Sequence, residues 1–326
     1  MTVSRRTLIA TLGLAPVASL LPRPAWAAYP DRPIHLIVPF AAGGNADLVG
    51  RVVGEMVSRA LKQPAVVENR PGAGGGVGAA VVAHAKPDGY TLLIGSNGPL
   101  TINPLMHLNP GYSLADFTAI ALTSYVPHVL LMNKNFPAKT IPELIAASKK
   151  KSVNIATSGV GSATHMTLER FKAATGADIT HIPYRGGGAL IPDVIGGGVD
   201  GAMTEFSTAV QIHKSGDARL VGIAAVKRSE LASDVPTFIE GGVKGFTAES
   251  YIGVLAPAQT PADIVDALQK AIAAGLSGGD LADKLRGMGS EIATPEQMTA
   301  KGFAAFIKTD AENMTAAAKL ADIKPE

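Results

Sequence analysis

The chain contains no cysteine, one tryptophan and only 17% charged residues in a length of 326. Without cysteine there are no disulfides, no thiol chemistry and no cysteine-ligated metal, so stability has to come from core burial, which a chain of this size can supply. The seven histidines form no pair at i, i+2 or i+4, and no H-E-x-x-H, G-x-S-x-G or G-K-[ST] pattern occurs. Catalysis would therefore need a Ser, His and Asp assembled from distant parts of the chain. No apolar run reaches the roughly 20 residues that span a bilayer. There is no basic stripe of the kind that binds nucleic acid.

What is present divides at residue 27. Residues 1–27, MTVSRRTLIATLGLAPVASLLPRPAWA, have a basic head (Arg5, Arg6), an apolar middle from Thr7 to Leu21 and a small-x-small ending at Ala25-Trp26-Ala27. This is the layout of an export signal, and cleavage after Ala27 is expected. SRRTLI reads as a twin-arginine signal, with general secretory export as the alternative. Removing Arg5, Arg6 and Arg23 and no acid takes the formal charge from +2 to −1, so the mature chain is nearly neutral.

From residue 29 onward short apolar runs alternate with helical periodicity. Ile34–Val38, Ala65–Glu68 and Thr91–Gly95 read as strands, separated by helices at Leu48–Leu61 and Val77–Ala85. This β-α-β-α-β order favours a parallel sheet covered by helices. After Pro127 the same grammar restarts with Val129–Met132 as a strand, and it continues to a strand at Leu220–Ala224. The C-terminal part is helical at Ala262–Leu276, Leu281–Gly287 and Gln297–Leu320. The expectation is an α/β protein of two units, with the chain crossing back near Leu255-Ala256-Pro257 and the tail packing on the first unit.

Two glycine-bearing junctions stand out. In PFAAGGNAD, residues 39–47, a strand runs through Gly43 and Gly44 into a helix with no cation nearby. Unpaired N–H groups of a first helical turn point at an anion in that geometry, and glycine lets a ligand approach closely. Asn45 and Asp47 also read as helix caps, and for Asp47 capping and function weigh equally. NIATSGVGSATH, residues 154–165, repeats the arrangement, with Thr157, Ser158, Ser162 and Thr164 offering hydroxyls and His165 one turn inside. Two such helix starts face to face would clasp a carboxylate without a salt bridge.

Other motifs are weaker. RPGAGGGVGA at 70–79 loosely fits a dinucleotide fingerprint, but Arg70-Pro71 interrupts the tight turn and no acid closes a second strand, so a structural turn near the cleft is the preferred reading. IGSNGPLTINP puts Ser96, Asn97 and Thr101 at the carboxyl edge of a sheet, where α/β proteins bind ligands. HIPYRGGG places Tyr184 and Arg185 before glycines. Tyr184 reads equally as pocket lining and as a half-buried aromatic.

Taken in order, YPDRPIHLIVPFAAGGNADLVGR, ENRPGAGGGVGA, PDGYTLLIGSN, TINPLM, ATSGVGSATH, IPYRGGGALIPDVIGGGVD, KRSELASDVPTF and GVLAPAQTP make the chain from Tyr29 onward resemble the Bug-type periplasmic solute receptors of the tripartite tricarboxylate transporter family. The resemblance implies a two-lobed, Venus-flytrap α/β fold, with residues 28–127 plus 255–326 as lobe one and 128–254 as lobe two. It implies a small carboxylate held between the lobes by Phe40, Ala42, Gly43, Gly44 and Asp47 on one side and Thr157, Ser158, Gly161, Ser162 and His165 on the other. Ser96, Asn97, Tyr184 and Glu205 would surround the distal end. It also implies a monomer in the periplasm that serves membrane permease subunits, with no cofactor, metal or catalytic residue. Two departures bear on the distal end: Thr204-Glu205 stands where the family commonly has Phe-Asp, and Tyr251 where a Trp is frequent. A Glu205 facing the cleft would disfavour a second carboxylate and favour an amine or hydroxyl. A sensory receptor with a signalling partner, or an exported enzyme acting on an organic acid, are the competing readings.

Overall fold

A computed structural model of the chain describes residues 29–320, so the export signal expected at 1–27 lies outside the described residues. The apolar run Ile34–Val38 forms β1, and all but His35 of it is buried. Helix α1 (Asn45–Leu61) follows, with Val49, Val52, Val53, Met56 and Val57 repeating at three and four residues to make one buried stripe. It stops at Lys62, whose left-handed backbone (φ 55°) lets its N–H return to the carbonyl of Ser58. Then come β2 (Ala65–Asn69), α2 (Gly76–Ala83) and β3 (Thr91–Gly95), followed by a π-helical turn at Gly98–Ile102 and the short α3 (Asn103–Met106).

The sequence reading began the next strand at Val129, but β4 runs from Phe117 to Asn133. Its first part pairs antiparallel with a later strand, up to Pro127 opposite Glu249, and its second part, from His128, pairs with two strands of the other lobe. Proline has no ladder donor to offer, and it sits where the strand exchanges partners.

Lobe two follows as α4 (Ile141–Ser148), β5 (Val153–Thr157), α5 (Ala163–Thr175), β6 (Ile179–Pro183), α6 (Gly187–Gly196), β7 (Gly201–Glu205), α7 (Phe206–Ser215) and β8 (Ala218–Ile223). The return is β9 (Glu249–Pro257), a full strand where the sequence suggested a crossing only at its last three residues. Helix α8 (Ala262–Leu276), α9 (Asp280–Gly287), the two-residue β10 (Glu291–Ile292) and α10 (Ala300–Leu320) complete the described chain.

The strand order is β2-β1-β3-β9-β4-β7-β5-β6, with β8 and β10 also paired to β4. Strands β1, β2 and β3 are parallel, as are β5, β6 and β7, while β4 and β9 run against their neighbours and tie the halves together. One core joins Leu36, Val53 and Leu93 to Leu268, Phe303 and Ile307, so the C-terminal helices do cover the first unit. Beyond Pro127 successive β4 residues point to opposite faces. Leu130 and Met132 enter a core with Phe171 and Phe238, whereas Val129 and Leu131 enter one with Leu190 and Phe206. Among the described residues no helix is long and apolar enough to cross a membrane.

Candidate functional site

Four helices begin at one small cavity between the lobes. Gly44, Asn45 and Ala46 bring the start of α1, Ser162 and Ala163 that of α5, Gly187 that of α6, and Glu205 stands directly before α7. Each first turn carries N–H groups with no partner inside its helix, and each helix adds roughly half a positive charge at that end. Phe40, Ser96, Ser158, Ser250 and Ile252 complete the lining, which among the described residues contains no Lys, Arg or His. The cavity measures about 20 Å3, space for about one water and too little for a multi-carbon acid as it stands.

The lobes touch through both backbone and side chains. The Ala41 N–H donates to the Arg185 carbonyl at 2.9 Å, and the Ser207 hydroxyl donates to Asn45 Oδ1 at 2.9 Å. A Cβ on Gly188 would overlap the carbonyl oxygen of Ala42, and one on Gly74 the carbonyl oxygen of Val160. The glycine-rich 70–79 loop is thus a contact between lobes, and Gly74 has a left-handed φ of 57° that favours glycine.

The α1 junction is braced by Asp47. Its carboxylate accepts from the Gly43 N–H at 3.0 Å, from Arg51 at 2.9 and 3.0 Å, and from Asn69 Nδ2 at 3.0 Å. Burial alone would raise its pKa, but the Arg51, Gly43 and Asn69 hydrogen bonds outweigh it and hold the carboxyl below the usual range. Asn69 Nδ2 also donates to the Phe40 carbonyl, so one amide fixes both ends of the loop.

The α5 junction is braced by histidines. His165 stacks on His181 with ring centroids 4.2 Å apart, His181 Nε2 shares a 2.7 Å hydrogen bond with Thr157 Oγ1, and the Gly161 N–H points at His165 Nδ1. Ser162 caps α5 by accepting from the His165 N–H. Burial lowers the pKa of both rings, His181 to about 4, which keeps them neutral. The Thr157 hydroxyl also accepts from the Gly159 N–H, and the Thr164 hydroxyl accepts from the Ser158 N–H.

Of the residues singled out from the sequence, Phe40, Gly44, Ser96, Ser158, Ser162 and Glu205 line the cavity. Ala42 and Gly43 shape the loop against Gly188, while Asp47, Thr157, Gly161 and His165 stand behind the lining as supports. Asn97 is buried beside the cavity and donates from Nδ2 to the Glu249 carbonyl, which ties β9 to the end of β3. Tyr184 is away from it, its hydroxyl donating to Asp193. Tyr251 turns its ring to Phe303 and Phe306 of α10 and does not reach the cavity.

Sequence reasoning missed Gly187 and Ser250, and read Asn45, which also lines the cavity, only as a helix cap. Gly187 had a signal, since RGGGAL is itself a run of glycines opening a helix. Ser250 had none: its hydroxyl meets His128 Nε2 at 2.7 Å, and His128 Nδ1 meets Thr167 Oγ1 at 2.7 Å, contacts made only by the fold.

Comparison with known proteins agrees with this architecture. The TctC family, described as tripartite tricarboxylate transporter family receptor, matches residues 49–318. Protein BugT of Bordetella pertussis is 34% identical over 305 residues, 91% of this chain and 93% of BugT. The solved structure of periplasmic binding protein BugD is similar with a TM-score of 0.87 at 33% identity, over 91% of this chain and all of BugD. MatC from Rhodopseudomonas palustris, solved with bound malate, gives a TM-score of 0.83 at 31% identity, over 88% of this chain and 98% of MatC. The chain belongs to the tripartite tricarboxylate transporter receptor family, the Bug-type periplasmic solute-binding proteins.

Proposed function

We propose that this protein captures a small organic carboxylate between its lobes, 28–127 plus 255–326 and 128–254, and delivers it to the membrane permease subunits of a tripartite transporter. On this reading it is exported to the periplasm by residues 1–27, through a twin-arginine signal, and works there as a monomer. The observation that carries the reading is the convergence of four helix starts on one cavity that, among the described residues, has no basic side chain. A hydrogen bond to a charged group contributes about 1.5–3 kcal/mol, so four or five amide and hydroxyl donors supply enough to meet the cost of association. Malate in MatC supplies the class of ligand to try first.

Hydrolysis is the competing chemistry, because Ser250 of the cavity wall shares a hydrogen bond with His128, buried behind it. Its third member is the hydroxyl of Thr167 where a carboxylate would be needed, and burial pushes His128 down to about 3, too weak a base to activate serine near neutral pH. A thermal-shift screen of organic acids tests the proposal, because a ligand that binds only the native state raises its melting temperature. At least one small carboxylate should do so and be recovered unchanged. A panel that gives no shift, or an acid converted to product, would refute it.

A further inference from the structure

Among the described residues, Glu205 is the one ionisable side chain in the cavity wall. It ends β7 immediately before α7, and a Cβ on Gly187 would stand 3.2 Å from its Oε2, so the carboxyl lies against the start of α6 as well. Its side-chain donor is the Thr204 hydroxyl at 3.2 Å. The groups around it are all uncharged: Asn45 of α1, Ser250 of β9 and, as its register partner on β4, His128, which burial keeps neutral and whose two ring nitrogens are taken by Thr167 and Ser250.

A ligand carboxylate drawn to the amide ends of α1 and α5 therefore shares the cavity with a fixed carboxyl that has no countercharge. Burial raises the pKa of this carboxyl, so a ligand donor beside it favours the ionised form, whereas a second ligand carboxylate meets like charge or requires Glu205 to keep a proton. A hydroxyl or ammonium in that position donates to an oxygen that has spare acceptor capacity. Resting on the carboxylate-receptor reading above, we propose that Glu205 makes this receptor select acids that carry a hydroxyl or ammonium donor over the matched acids that lack one.

The test is calorimetric titration at pH 7.5 with matched sets: succinate, L-malate and L-aspartate; glutarate, 2-hydroxyglutarate and L-glutamate; propionate, L-lactate and L-alanine. Wild type should bind the best donor-bearing member of a set at least about tenfold more tightly than its donor-free counterpart, the scale of one hydrogen bond to a charged group. In Glu205→Gln, which keeps the shape and removes the charge, the gap should shrink below about threefold, chiefly because the donor-free acid gains affinity. Glu205→Asp, read alongside it, should lose affinity for the donor-bearing acid while still rejecting the donor-free one. Equal binding of both kinds by wild type, or a gap that survives in Glu205→Gln, overturns the role of Glu205 and leaves the carboxylate reading standing. If neither folded protein binds any of the acids, the carboxylate reading falls and this inference with it.

Discussion

Replacing Gly44 by valine should separate folding from binding. Gly44 has φ −85° and ψ 171°, extended backbone that valine adopts without strain, so the strand-to-helix junction keeps its path. A Cβ there would stand 3.1 Å from the Gly188 amide nitrogen and 3.3 Å from that of Gly187, the first-turn donors of α6. The two further methyls of valine reach into a cavity of only about 20 Å3. Overpacking of this kind costs about 1–3 kcal/mol, a 5- to 150-fold effect on an equilibrium. Masking two donors to a charged ligand costs more, about 1.5–3 kcal/mol for each donor, so affinity should fall by more than about 100-fold. Calorimetry with the tightest acid of the screen reads the affinity, and melting without ligand reads the fold, which should keep a cooperative transition with its midpoint lowered by no more than about 2–4 °C per kcal/mol of that overpacking. A variant that binds within threefold of wild type would refute the placement of the anion at these amides.

Other perturbations probe the same assembly. Gly188→Ala puts a methyl on the Ala42 carbonyl while favouring helix α6 by roughly 0.5–1 kcal/mol, so scattering should show a more extended ligand-free protein with undiminished melting temperature; unchanged dimensions would contradict the closed contact. Asp47→Asn should cost about 1–3 kcal/mol at neutral pH. Because the Asp47 pKa is held below its unfolded value, that loss should be full above about pH 4 and vanish as pH falls through the lowered pKa of the fold, and a pH-independent difference in urea midpoints would count against it. His128, at about 3, and His181, at about 4, stay neutral in the fold but bind protons when unfolded near pH 6.5. Stability should therefore fall from pH 6.5 downward by about 1.4 kcal/mol per unit for each ring, which buried Glu205 opposes in part, and a flat profile of midpoints from pH 6.5 to 5 would disprove the burial argument.

The two junctions at 39–47 and 154–165 were legible because everything that defines them is local: an apolar run, glycines, then helical periodicity. Strand β4 was not. Pro127 falls in its middle, and proline inside an apolar run argues against a strand, yet here it marks the point where one strand leaves β9 for β7 and β8. The supports were half legible. Arg51 lies four residues after Asp47 on the same helix face, a pairing visible in the sequence, whereas Asn69 and His181 meet their partners only across the sheet. Gly187 and Ser250 reach the cavity from lobe two and from the returning strand, so their part in it is a product of the topology.

On the proposed reading, that topology lets amides stand in for a cation and also trigger closure. Helix α1 starts in lobe one, while α5, α6 and α7 start in lobe two, and the field of a helix end fades beyond its first turn. On the proposed reading an anion resting on α1 in an open form gains the other three ends only when the lobes meet. Moving an equilibrium from 1:99 to 99:1 takes about 5.5 kcal/mol of differential binding. Three added hydrogen bonds to a charge contribute about 4.5–9 kcal/mol, and one contributes about 1.5–3, so a single junction could hold an acid without closing on it, whereas three can do both. The crossing strands carry irregular pairing of β4 with β9 between Ala119 and Ala121 and between Leu122 and Ser124, and such bulges increase local twist and bend a strand. A single lysine in the α1 loop would bind the acid equally in the open and closed forms, raising affinity without adding to the difference between the two forms on which closure depends.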